Sequence, residues 1–177
     1  MKNPLSVIQT AHKIGKIISR VCFFVSIAVA VVLLLLIAAI LFGLDRIPQI
    51  ATILSAEDYS RETLIGLSLV RLIYSIALML ICHKAYGYFS FELEKGTPFT
   101  DEGAKLLLKV GIMNISISVI AFILSNIVYH LMSKATGNMS PLKFYSSGSL
   151  TLGIMFVVTS FMLSYGADLE KENRERE

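Results

Sequence analysis

The sequence predicts an all-α integral membrane protein with four antiparallel transmembrane helices and an amphipathic N-terminal helix. Its 177 residues are 55% hydrophobic and 16% charged, and the mean hydropathy is +0.70. Soluble domains usually contain only about 45–50% apolar residues. Four apolar runs are long enough, or nearly so, to cross a hydrocarbon core of roughly 30 Å. All four prolines lie outside these runs, as expected because proline costs a helix interior about 3 kcal/mol.

Residues 4–20 form the predicted amphipathic helix. Asn3 is suited to cap its start, and Pro4 is suited to its first turn. Apolar residues recur at spacings of three and four, while Lys13, Lys16 and Arg20 make a basic stripe. This pattern favours a helix in the cytoplasmic headgroup layer. The alternative is that the segment only extends the first span and anchors it electrostatically.

The four spans are predicted at about 21–43, 64–86, 106–131 and 149–167. The first contains no charged residue, and it is too long and starts too late to be a cleaved signal peptide. Because four is an even number, both termini lie on the same side of the membrane.

The distribution of basic residues predicts which side that is. The N-terminal segment, the central hairpin with its flanks (Lys84 to Lys109) and the tail at 168–177 together contain eleven lysines and arginines, and the other two loops contain four. Loops rich in Lys and Arg stay in the cytoplasm. We therefore expect a multi-pass membrane protein with both termini and the central hairpin in the cytoplasm.

Arg71 is the one charge placed deep within a predicted span. It shares a helical face with Ser68, Ser75 and Cys82, so we expect it to point into the bundle along a weakly polar stripe. Charged residues inside membranes often mark functional sites. Arg71 is thus a candidate site for an anion or an anionic headgroup. The alternative is a structural anchor whose guanidinium extends toward the outer loop.

Small and weakly polar residues form a stripe along the third span, and the fourth span has a matching one. Such stripes allow close backbone approach between helices in lipid. We expect spans two, three and four to pack on these faces, with Asn114 and Ser118 as candidate residues. A water-filled polar path is the alternative. The stripe residues are Gly111, Asn114, Ser118, Ala121 and Ser125 in span three, and Ser149, Gly153, Ser160 and Ser164 in span four.

Residues 87–105, called the elbow below, connect spans two and three. The second helix is expected to continue a few turns past the membrane and to end at Gly96. Pro98 prevents its continuation, and Thr100 is suited to cap the next helix. Phe99 is expected either to pack against the helix bases or to belong to an exposed patch for a cytoplasmic partner. Gly96, Pro98 and Phe99 are therefore candidate residues.

Two segments carry a family resemblance. Residues 93–100 (LEKGTPFT) with 104–111 (AKLLLKVG), and the closing segment 165–173 (YGADLEKEN), resemble the Gly-x-Pro-Phe hairpin and the terminal Gly-x-x-Leu-x-x-Glu signature of a bacterial family of four-span membrane proteins, known as domain of unknown function 2975. Such families often occur beside small Cro-like helix-turn-helix repressors. The resemblance therefore implies a membrane component of a regulatory pair, but it implies no ligand or catalytic residue.

The sequence contains no phosphate loop, nucleophile elbow or metalloprotease motif. We therefore expect no catalytic residue, no cofactor, no metal and no direct nucleic-acid binding, and the oligomeric state stays open. The leading hypothesis is a non-enzymatic regulatory or interaction protein. Its partners are the lipid bilayer and a cytoplasmic regulator such as a small helix-turn-helix protein. The alternative is a small channel or transporter subunit that uses the polar faces of spans two to four and Arg71.

Overall fold

The computed structural model describes residues 4–43, 61–96, 100–136 and 147–176. Within them the predicted all-α fold is confirmed. Each helix is long enough and contains a window apolar enough to cross a membrane. The helices are α1 (Pro4–Leu41), α2 (Arg61–Lys95), α3 (Asp101–Thr136) and α4 (Ser147–Arg176).

All four helices extend beyond the apolar runs that identify them. A helix of 35 residues, such as α2, is about 52 Å long, whereas the hydrocarbon core is roughly 30 Å thick. In α1 the segment 4–20 continues without interruption into the first span. The structure thus shows the second alternative, in which this segment extends the span. The tail is also helical as far as Arg176. The Arg176 guanidinium lies 3.9 Å from a carboxylate oxygen of Glu172, one turn earlier in the helix.

The described helices pack in sequence order as a row. α1 packs on α2, α2 on α3, and α3 on α4. Within the described ranges α2 and α4 do not pack on each other, so the expectation that spans two, three and four all pack together is wrong for that pair. The reason is that the central helix α3 uses two sides, one for each neighbour, and thereby separates them.

α1 and α2 are joined at both ends and in the middle. Near one end, Gln9 Nε2 donates to the carbonyl oxygen of Gly96 at 3.3 Å. At the other end, the Arg61 guanidinium donates to two carbonyl oxygens in the last turn of α1, including that of Leu41 at 3.0 Å. Between them, Ser75 Oγ donates to the Ser26 carbonyl oxygen at 2.8 Å. The order of these contacts shows that the two helices are antiparallel.

α3 and α4 pack closely at two glycines, Gly111 and Gly153. A Cβ added to Gly111 would lie 3.0 Å from the Gly153 carbonyl oxygen, and one added to Gly153 would lie 2.7 Å from the Ile115 side chain. The small-residue stripes of spans three and four therefore allow the close backbone contact that was predicted for them.

Candidate functional site

The elbow is closed by local interactions that the sequence predicts. Gly96 has a φ of +74°, a conformation that glycine adopts without the steric penalty of a Cβ, and it ends α2. Thr100 caps α3, because its Oγ1 accepts a hydrogen bond from the Gly103 backbone N–H at 3.0 Å. Lys95 and Glu102 form an ion pair of 2.8 Å across the turn. The predicted caps at Gly96 and Thr100 are confirmed.

Glu92 lies buried on the inner side of this elbow. Only 2% of its surface is exposed, and neither carboxylate oxygen has a hydrogen-bond partner among the described residues. It faces Gly103 of α3 so closely that a Cβ at that position would overlap Oε1. A buried carboxylate without a partner is costly in its charged form. The carboxyl group is therefore the most unusual chemical feature of this end of the molecule.

Burial raises the pKa of Glu92 from its ordinary value of 4.5 to about 7. The residue lies almost two turns beyond residue 86, where the second apolar run ends, and so it lies beyond the predicted span 64–86. A carboxyl group with this pKa exists in both protonation states near neutral pH. The elbow therefore contains a group that can gain or lose a proton under ordinary cellular conditions.

Apolar and aromatic side chains enclose this carboxyl group. Tyr88 precedes Glu92 by one helical turn and is 5% exposed, and it forms a buried cluster with Leu107 and Val110. Phe89 and Leu106 pack against this cluster from α2 and α3, and Phe156 and Leu163 pack against it from α4. A buried apolar cluster thus lies at the elbow end of the row.

The first helix covers the elbow from the other side. The His12 ring lies 6.2 Å from the Tyr88 ring, edge to face, and 6.0 Å from the Phe89 ring. Gly15 leaves room for Phe89, because a Cβ there would lie 2.7 Å from that ring. Residues from all four described helices therefore pack at the elbow end.

The predicted site residues do not meet at one place. Gly96 lies in the elbow, while Pro98 and Phe99 lie outside the described residues. Asn114 and Ser118 lie deeper in α3, each 2% exposed, and Ser118 Oγ donates to the Asn114 carbonyl oxygen at 2.8 Å. The Asn114 amide has no hydrogen-bond partner among the described residues.

The prediction that Arg71 points into the bundle is wrong. Ser68, Ser75 and Cys82 are buried as expected, but Arg71 is exposed. At 100° per residue, Arg71 lies on the helical wheel only about 20° from Cys82, which is buried, so its position on the helix does not account for its exposure. Arg71 lines a partly open groove of about 800 Å³ between α1 and α2, together with Ser75 and Tyr74.

The sequence analysis did not identify Glu92 as a candidate. Its only signal is that it follows Tyr88 by four residues and Ala85 by seven, which places all three on one helical face. No group of three potential metal ligands occurs among the described residues.

Comparisons with known proteins add no assignment. No protein-family model, no curated protein and no solved structure matches this chain. The resemblance to the four-span family in residues 93–111 and 165–173 stays a prediction.

Proposed function

We propose that the chain is a non-enzymatic protein of the bacterial cell membrane that presents its elbow to a cytoplasmic partner. The observation that carries this proposal is the construction of the elbow. α2 and α3 continue past the apolar runs and join through a short turn that is capped on both sides. Nine residues of α2 beyond position 86 correspond to a projection of about 13 Å.

The exposed face of the elbow supports a protein partner. Glu94, Lys95, Asp101, Glu102 and Lys105 are exposed, so both signs of charge alternate over a small surface. Mixed charges of this kind favour selective recognition of a complementary protein. The excess of Lys and Arg at the same end supports its cytoplasmic location. A small regulator, such as a helix-turn-helix protein, is the partner that the family resemblance favours.

Site-specific photo-crosslinking in intact cells tests the proposal. A photoreactive amino acid at Asp101 should form one dominant crosslink to a cytoplasmic protein. The matched control carries it at Lys134, which is exposed near the opposite end of α3, and should not form that crosslink. Equal labelling from both positions would contradict the proposal, as would export of a reporter inserted beside Gly96.

A small channel or transporter subunit is the second candidate. The observations that favour it are Arg71 in the α1–α2 groove and the unpartnered Asn114 amide. Against it, Ser75 is used for helix contact, because its Oγ donates to the Ser26 carbonyl oxygen of α1. Ion flux into liposomes separates the two candidates. Only the transport hypothesis expects a conductance that is lost in Arg71→Leu.

A further inference from the structure

Two cations of α1 meet on one aromatic ring of α2. Lys16 Nζ lies 5.4 Å from the centre of the Tyr86 ring, and the Arg20 guanidinium carbon lies 5.8 Å from the same centre. Both distances are within the range of a cation–π interaction. We call Lys16, Arg20 and Tyr86 the Tyr86 cluster. Two positive charges therefore lie close together beside the Tyr86 ring.

Neither cation has an acidic partner in the part of the chain that the structure describes. The ion pairs found there use other residues, and α1 contains no Asp or Glu along its whole length. Like charges four residues apart on a helix repel each other. Arg20 is exposed and Lys16 is half-buried, so an external anion can reach both. Such an anion would relieve the repulsion.

The cluster lies where lipid phosphates are found. Arg20 directly precedes the uncharged run 21–43, and Tyr86 ends the run 64–86. Tyrosines are enriched at this boundary between hydrocarbon and water. One turn beyond Arg20 on the same face, Phe24 is 57% exposed and offers apolar surface to an acyl chain. A soluble phosphate compound would not use this adjacent surface.

We propose that the Tyr86 cluster binds the headgroup phosphate of an anionic phospholipid, whose acyl chain lies along Phe24. Basic residues near a membrane surface attract anionic lipids in this way. This inference does not depend on the elbow or on the proposed function. It also holds whichever side of the membrane the cluster faces.

Native mass spectrometry of the full-length protein in detergent tests the proposal. Phosphatidylglycerol and phosphatidylcholine are added separately, and the apparent Kd of the first bound lipid is measured. The wild type should bind phosphatidylglycerol more tightly. The double variant Lys16→Gln/Arg20→Gln should weaken that binding by about 30-fold, roughly fivefold for each cation lost.

The matched control is Lys134→Gln/Lys171→Gln, which removes the same charge from two other exposed positions and should keep the preference. Tyr86→Phe retains the ring and should resemble wild type, whereas Tyr86→Leu should weaken binding severalfold. This pair still tests the cluster if the double variant does not fold. The proposal is overturned if wild type shows no preference, if the control loses as much as the double variant, or if glycerol 3-phosphate competes as well as the lipid.

Discussion

Replacing Glu92 with glutamine tests whether the buried carboxyl group makes the elbow sensitive to pH. In the closed elbow the pKa of this group is about 7, and its ordinary value is 4.5. When the elbow opens locally and Glu92 becomes hydrated, its pKa returns toward that ordinary value. Between the two values the opened state releases a proton that the closed state retains. The closed state is therefore favoured at low pH, and its stability decreases as pH rises from about 4.5 to about 7.

The size of the effect follows from the same two values. A change of one pKa unit corresponds to about 1.4 kcal/mol, so the closed elbow should lose about 3 kcal/mol of stability between pH 4.5 and pH 8. Glutamine has nearly the same shape as a protonated glutamate and does not titrate. The variant should therefore resemble wild type at pH 4.5, and its elbow should be about 100-fold less open than that of wild type at pH 8.

Hydrogen exchange measured by mass spectrometry is the assay, applied to peptides from residues 88–107. Wild type and Glu92→Gln are compared at the same pH, so the intrinsic pH dependence of exchange cancels. Burial lowers the pKa of His12, which contacts Tyr88, and this histidine is present in both proteins. Peptides around Gly153 in α4 serve as the internal control. A ratio of protection between the two proteins that stays constant from pH 4.5 to pH 8 would refute the reasoning.

Three further predictions concern helix contacts and are checked by thermal unfolding in detergent. Gly103→Ala should destabilise the elbow by about 1–3 kcal/mol because the new methyl group overlaps Glu92. The control Gly87→Ala meets nothing within 4 Å and should gain about 0.5–1 kcal/mol; equal effects would contradict the assigned contact. Gly111→Leu should separate α3 from α4 and cost at least about 1–3 kcal/mol, so an unchanged Tm would argue against their close packing. Ser75→Ala should cost about 0.5–1.5 kcal/mol through loss of its hydrogen bond to α1, and a stabilised variant would show that this bond is not made.

The sequence predicts best those features that depend only on residues close together in the chain. The end of α2 at Gly96 and the cap at Thr100 require only local backbone geometry, so they can be identified from residue type and spacing. The four spans follow from apolar length alone. The Gly111 contact also follows from a local pattern, because a stripe of small residues at helical spacing marks the face that can approach another helix.

Other features depend on which helix lies opposite. The burial of Glu92 arises because α3 has a glycine at position 103, a fact that the pattern of α2 does not contain. Arg71 lies on the same stripe as three buried residues, and its exposure depends on the open groove between α1 and α2, which the periodicity of α2 does not contain. The contact of Gln9 with Gly96 joins positions 87 residues apart. Such pairings become visible only when the chain is folded.

The hydrogen bonds between α1 and α2 at both ends restrict the sliding of one helix along the other. α1 is about 57 Å long, and sliding along its neighbour would break the Gln9 bond at one end and the Arg61 bonds at the other simultaneously. We therefore expect α1 and α2 to resist sliding past each other along their axes. For the same reason, we expect a displacement of α1 near Gly96 to move the last turn of α1 as well, where Arg61 binds the carbonyl oxygens.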